Sequence, residues 1–245
     1  MHWCSKRLLW LAGYLLIQAG GWFLAACSAQ PDEAAFVAAR QEMVRRQLES
    51  RDITDARVLN AMRTVPRHRF MPTNQRYAYQ DNPVPIGYDQ TISQPYIVAF
   101  MTQALQVQPT DVILEIGTGS GYQAAVLGSL AKSVYTIEIV EELADWSRQA
   151  LSDNGFDNVH VRFGDGFFGW AEAAPFDKII LTAAAGVVPE PLLKQLREGG
   201  VLLMPIKMTR TYESLALFTK IDGQLQRRDL LDVRFVPMTG EVQKK

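Results

Sequence analysis

The chain has 245 residues, 48% hydrophobic and 21% charged, with a formal net charge of −1. That is enough apolar sequence for one large packed domain, and the only basic clusters are isolated pairs such as Arg45-Arg46 and Arg227-Arg228, which argues against a nucleic-acid partner. Cys4 and Cys27 both lie near the N-terminus and His2, His68 and His160 are scattered, so the body of the chain offers neither a disulfide nor a metal-ligand pattern.

Residues 1–27 read as a separate element. Lys6-Arg7 precede an apolar run from Leu8 to Ala26 that ends in Leu24-Ala25-Ala26-Cys27. A basic start, an apolar stretch and small residues before a cleavage point describe an export signal. The ending resembles a bacterial lipobox, which makes Cys27 a candidate for lipidation, with the domain tethered on the periplasmic side of a membrane. The alternatives are an uncleaved anchor, weakened by Gln18 and Gly20-Gly21, or a true start at Met43. Residues 28–35 read as a polar linker, and 36–245 as the folded domain.

Within that domain, residues 36–110 are largely helical in pattern. Phe36 to Ser50 carries a helical apolar stripe, and Asp52 to Asp55 offers a cap for a second helix through Met62, closed by Val65-Pro66. Arg69 to Tyr88, with its prolines and tyrosines, reads as an irregular cover over the later fold. From Asp111 apolar strands alternate with helices: strand Val112 to Ile116, helix Tyr122 to Ala131, strand Val134 to Glu138, helix Glu141 to Asp153. Strands Val159 to Phe163 and Lys178 to Thr182 follow, then a helix near Pro191 to Leu196 and a strand from Val201 to Ile206. Ser214 to Lys220 and Leu230 to Val236 flank Asp222-Gly223 without an intervening helix. The expected fold is α/β, a doubly wound, mostly parallel seven-stranded sheet with an antiparallel C-terminal hairpin. Ligands of such sheets bind beyond the carboxyl ends of the strands.

The most informative turn follows the first core strand: Glu115-Ile-Gly-Thr-Gly-Ser-Gly121. Glycines permit a tight turn and close approach of backbone to ligand. A dinucleotide fingerprint beginning at Gly117 needs glycine at position 122, where Tyr122 stands. Glu115 would repel a pyrophosphate and suits a cationic ligand such as a sulfonium bearing an amino group. Glu138, 21 residues beyond Gly117, ends the second core strand where an acid accepts from ribose hydroxyls, and Asp165 in Gly164-Asp-Gly166 adds an acceptor for an adenine amine. Each acid alone could be a helix cap or first-turn charge. As a set they favour S-adenosylmethionine over NAD, with no metal.

Upstream, Gln90-Thr-Ile-Ser-Gln-Pro-Tyr96 places Ser93 as a plausible helix cap before Pro95. The string QTISQPY, followed by LEIGTGSGYQ, GDG and PFDKIILTAA (Pro175 to Ala184), resembles the protein-L-isoaspartate O-methyltransferase family, as do Val65 to Pro72 and Arg234 to Glu241. The resemblance spans about Gln41 to Glu241 and implies the Rossmann-like class I methyltransferase fold. By position it implies an active-site Ser93, with Thr91, Ile92, Gly117, Glu138, Asp165, Gly166 and Thr239 at the cofactor, to which the glycine turn itself adds Gly119 and Gly121. It further implies methyl esterification of the free α-carboxylate of L-isoaspartyl residues in peptides and proteins; the ester then closes to a succinimide that reopens to aspartate. The chain departs from the family at Lys207, where a glycine usually follows Met-Pro-Ile, and in its leader, since the family is usually cytoplasmic. A monomer is favoured. Rival readings are a methyltransferase for another acceptor, or a cofactor-binding domain that serves an interaction role.

Overall fold

The computed structural model describes residues 32–209 and 212–244. The expected leader, with Cys27, lies outside these residues. The Asp32 carboxylate accepts from the Ala35 amide at 2.7 Å, and this cap starts helix α1 (Glu33–Met43). Residues 33–35, expected in the linker, are therefore its first turn. The helix widens into a π-helical segment at Val44–Glu49. Asp55 caps α2 (Ala56–Thr64) through the amides of Arg57 and Val58, and Val65 turns extended before Pro66.

The stretch expected as irregular cover is more ordered than its composition suggests. It contains 3₁₀ turns at Arg67–Phe70 and Gln75–Tyr77, and strand β1 (Val84–Gly87) pairs antiparallel with β2 (Gln90–Ile92). Arg67 pins the segment internally by donating from Nε to the Ala78 carbonyl at 2.7 Å. Helix α3 (Pro95–Leu105) follows directly.

The core sheet holds β3 (Val112–Ile116), β4 (Ser133–Glu138), β5 (Val159–Phe163), β6 (Phe176–Leu181), β7 (Leu196–Lys207), β8 (Glu213–Ile221) and β9 (Gln224–Val233). Their order is β5-β4-β3-β6-β7-β8-β9. The first four contacts are parallel, and β7-β8 and β8-β9 are antiparallel. The expected seven-stranded, mostly parallel sheet is thus the observed one. The chain builds outward from β3 to β5 and then returns to β6 on the other side of β3, which makes the β3/β6 boundary the switch point.

Alternation along the strands divides the core in two. Ile113, Val134, Ile180 and Leu203 pack with residues of α3, α4 (Tyr122–Gly128) and α5 (Glu141–Asp153). Leu114, Ile116, Ile179 and Leu202 pack with Leu192 of the short α6 (Glu190–Gln195). Each buried aliphatic side chain contributes roughly 1.5–3 kcal/mol, so a one-residue slip of any strand would be prohibitive.

Several boundaries differ from expectation, β7 for one starting at Leu196 rather than Val201. Helix α4 ends at Gly128 rather than Ala131, where Ser129 Oγ folds back onto the Val126 carbonyl at 2.7 Å. Strand β9 starts at Gln224 and ends at Val233 instead of spanning Leu230 to Val236. Asp222 and Gly223, with φ of 51° and 75°, form a two-residue turn, so the return strand resumes at once. Its first half is an exposed polar edge, which apolar patterning cannot detect.

Candidate active site

A cleft of about 800 Å³, counting its open mouth, lies over the carboxyl ends of the central strands. Its floor is the turn after β3. Gly117 and Thr118 both donate to the Ile137 carbonyl, at 2.8 and 3.3 Å, which fixes the turn to the end of β4. Gly117 and Gly119 have φ of 96° and 52°, a region that side chains disfavour. A β-carbon at Gly117 would collide with Thr182 Oγ1, which donates to the Gly117 carbonyl at 2.6 Å. Glycine here lets the ends of β3 and β6 close on one another at the switch point.

Glu138 stands beside this floor and is only 5% exposed. Its Oε2 accepts from the Gly119 amide at 2.7 Å, and its Oε1 accepts from Ile139 and Val140, both at 3.0 Å. A carboxylate offers about four acceptor positions. Three are used to hold the turn, and one remains for a ligand.

The roof comes from β2 and the residues after it: Thr91, Ile92 and Ser93 all line the cleft. Helix α3 is capped at Gln94, with no side-chain cap bond, so Ser93 is not a capping residue. Its hydroxyl, half-buried, makes no hydrogen bond among the described residues. The far wall is the C-terminal segment Val236 to Thr239. It is held by pairing with the chain after β6, where Ala184 donates to the Val236 carbonyl and Met238 donates to that of Ala184, both at 2.8 Å.

Three expected cofactor residues do not line the cleft. Glu115 is fully buried within β3, where its Oε2 pairs with Thr136 Oγ1 at 2.5 Å. The alternation of β3 turns it under the helices rather than towards the strand tips. Burial pushes its carboxyl up to about 8, against the lowering effect of the Thr136 hydrogen bond and with a smaller push from the Glu138 charge. Asp165 clamps the C-terminal segment instead of facing the cleft. Its Oδ1 accepts from the Phe167 amide at 2.9 Å and its Oδ2 accepts from the Glu241 amide at 2.8 Å. Gly121, at φ 85°, caps α4 and allows it to approach α5, since a β-carbon there would sit 3.3 Å from that of Ser147. Gly166 does line the cleft.

The sequence reading missed Thr118, Gln123, Ile137, Thr182 and Val236 on the cleft wall. Thr182 had a usable signal, because it follows the strand beside the switch point. Val236 had only its place in the family-like segment Arg234 to Glu241, since its position at the cleft depends on hydrogen bonding with Ala184.

A second groove adjoins the cleft and shares Thr91, Ser93, Thr182 and Val236 with it. Its outer wall includes Tyr212, Asp232 and Arg234. Beyond Lys207, where the sequence departs from the family pattern, Met208 donates to the Tyr212 carbonyl at 2.9 Å and Tyr212 Oη donates to Asp232 at 2.8 Å.

The family model for protein-L-isoaspartate(D-aspartate) O-methyltransferase matches residues 38–243. The chain belongs to that family. Among its isoaspartate methyltransferase relatives, the protein-L-isoaspartate O-methyltransferase of Opitutus terrae is 56% identical over 203 residues, covering 82% of this chain and 87% of the relative. Protein-L-isoaspartate O-methyltransferase 2 of Shewanella sediminis is 50% identical over 214 residues, covering 87% and 88%. A solved protein-L-isoaspartate O-methyltransferase superposes with a TM-score of 0.77 at 28% identity, covering 83% of this chain and 67% of that one. A Plasmodium falciparum structure described as the same enzyme, in complex with S-adenosyl-L-homocysteine, superposes with a TM-score of 0.73 at 26% identity, covering 82% and 98%. The class I methyltransferase fold expected of the family is therefore the fold present.

Proposed function

We propose that this chain methylates the free α-carboxylate of L-isoaspartyl residues in peptides and proteins, using S-adenosylmethionine, as a step in protein repair. One observation carries the reading: Ser93, Thr91, Thr182 and Val236 form a shared wall between the cleft and the second groove. A donor in one compartment and an acceptor in the other would meet at that wall. Family membership and the S-adenosyl-L-homocysteine complex of the Plasmodium relative support the same assignment.

The residues fit the cofactor. The glycine turn presents bare backbone, and Glu138 retains a lone pair for ribose hydroxyls. Thr91, Ile92, Gly117, Gly119, Gly166 and Thr239 line the same cleft and would supply the remaining contacts. Once bound, S-adenosylmethionine supplies a methyl group on a positively charged sulfur. The protein needs no general base, because a carboxylate with a pKa near ~4 is already ionised at neutral pH. Its task is alignment to within roughly 3–3.5 Å and removal of water. Ser93 donates its free hydroxyl to the acceptor carboxylate and orients it. Arg234, exposed on the groove, draws anionic acceptors in, while the nearby Asp232 and Glu213 are engaged by Tyr212 Oη and the Phe235 amide.

The test uses radiolabelled S-adenosylmethionine with matched isoaspartyl and aspartyl peptides. Label is expected in the isoaspartyl peptide alone, and label in neither peptide defeats the reading. For residues 1–27 the proposal is export and tethering through lipidated Cys27, supported by Lys6-Arg7, the apolar run and Leu24-Ala25-Ala26. Membrane fractionation sensitive to globomycin is the expected result; a soluble cytoplasmic protein would return the chain to its family's usual setting.

A further inference from the structure

A short chain of hydroxyls leads from the interior to the cleft. The Glu115 carboxyl is 0% exposed, and its Oε2 lies 2.5 Å from Thr136 Oγ1. Thr136 Oγ1 lies 2.7 Å from Thr118 Oγ1, and Thr118 lines the cofactor cleft. Each threonine hydroxyl has one proton to give. We propose that Glu115 is a positioning residue that, by holding a proton, directs this chain outward so that Thr118 donates into the cofactor cleft.

The two protonation states give opposite polarities. Ionised Glu115 only accepts, so the Thr136 proton turns inward to it and the Thr118 proton turns to Thr136. Thr118 then shows the cleft lone pairs alone. Protonated Glu115 donates to Thr136, Thr136 donates to Thr118, and the Thr118 proton is free for a ligand.

The Thr136 hydrogen bond lowers the Glu115 pKa, but burial outweighs it and the net effect of the surroundings favours the protonated form. Glu115 Oε1 is buried without a hydrogen-bond partner among the described residues, which an ionised carboxylate tolerates poorly. Of the helices on this face, α3 (PYIVAFMTQAL) and α4 (YQAAVLG) contain no charged residue, and the charged residues of α5, Glu141, Glu142, Asp145, Arg148 and Asp153, are exposed to solvent. On the flanking strands, Ile180 of β6 pairs beside it, and Glu138 of β4 is the charged group that acts on it, with repulsive sign. A carboxyl pushed up to about 8 is mostly neutral at physiological pH.

This inference rests on the cofactor reading above, whose ligand carries a carboxylate in its amino-acid portion that could accept from Thr118. Titration calorimetry with S-adenosyl-L-homocysteine at pH 6.5 and 9.0 tests it on the full chain. Wild-type affinity is expected to fall about tenfold over that range, the usual size of one hydrogen bond to a charged group. Glu115→Gln keeps a permanent donor to Thr136 and should lose that slope. Thr136→Val cuts the chain without changing side-chain size and should lose it too. The ligand's own amino group titrates equally in all three proteins, so only the difference in slope counts. Identical slopes in wild type and Glu115→Gln overturn the relay, as does an affinity that rises with pH, which would mean Glu115 acts as a bare negative charge. Failure of wild type to bind at any pH would instead remove the cofactor assignment and the relay with it.

Discussion

At the scale of single residues, the site divides into groups already engaged by the protein and groups left for ligands. Ser93 belongs to the second kind, with an unengaged hydroxyl on the wall common to both compartments. Ser93→Ala should lower kcat by about 10–100-fold, since it removes a donor to the reacting carboxylate. Cofactor affinity should stay within about twofold; steady-state kinetics beside titration calorimetry would show the split. Equal turnover in both proteins would leave Ser93 no part in the chemistry. Glu138 serves both protein and ligand, because three of its acceptor positions hold backbone amides. Glu138→Ala should weaken cofactor binding at least about tenfold, through loss of a ribose acceptor and loosening of the glycine turn. Calorimetry that found unchanged affinity would refute the ribose role.

At the scale of elements, the far wall of the cleft depends on contacts distant in sequence. The C-terminal segment reaches the site because Ala184 pairs with Val236 and Met238, and because Asp165 accepts from the Glu241 amide, 76 residues away. Gly240 packs so closely on the Asp165 carboxylate that any side chain there would collide with it. Asp165→Ala frees the Phe167 and Glu241 amides and lets this wall move. Both KM values should rise several-fold while kcat falls less, because the reacting groups remain and only their containment loosens. Unchanged KM values would show that the Ala184 pairing holds the wall unaided.

At the scale of the whole molecule, one buried acid leaves a signature on stability. Glu115 titrates near 4.5 when unfolded and at about 8 when folded, so the folded state binds its proton more tightly. Its contribution is complete below pH 4.5 and is lost as pH rises to about 8. The loss is roughly 3–5 kcal/mol over that window. Burial acts in the opposite sense on His68, lowering its pKa, so that its share of stability grows as pH rises. His68 is common to wild type and Glu115→Gln, which isolates the Glu115 share. Urea denaturation at pH 5 and pH 8 should therefore show a larger drop in wild type than in Glu115→Gln; parallel curves would place an ordinary carboxyl at position 115.

The alternation of apolar runs with helical segments was enough to specify the parallel sheet, because strands buried on both faces must be apolar throughout. The glycine spacing and Glu138 marked the cofactor turn for a similar reason, since backbone approach and strand-end acids are local properties of the chain. The polar first half of edge strand β9 escaped notice, as its position is set by a two-residue turn and its partner strand rather than by its own pattern. The sequence by itself thus determined the fold class, the family and the location of the glycine turn. Tertiary structure alone decided which strand-end acids face the cleft. The alternation of β3 turned Glu115 inward, and pairing of the C-terminal segment drew Asp165 away to its amides. Sequence records which groups a chain carries, whereas the direction a carboxylate points is settled by the side of the sheet it occupies and the unsatisfied donors it meets there.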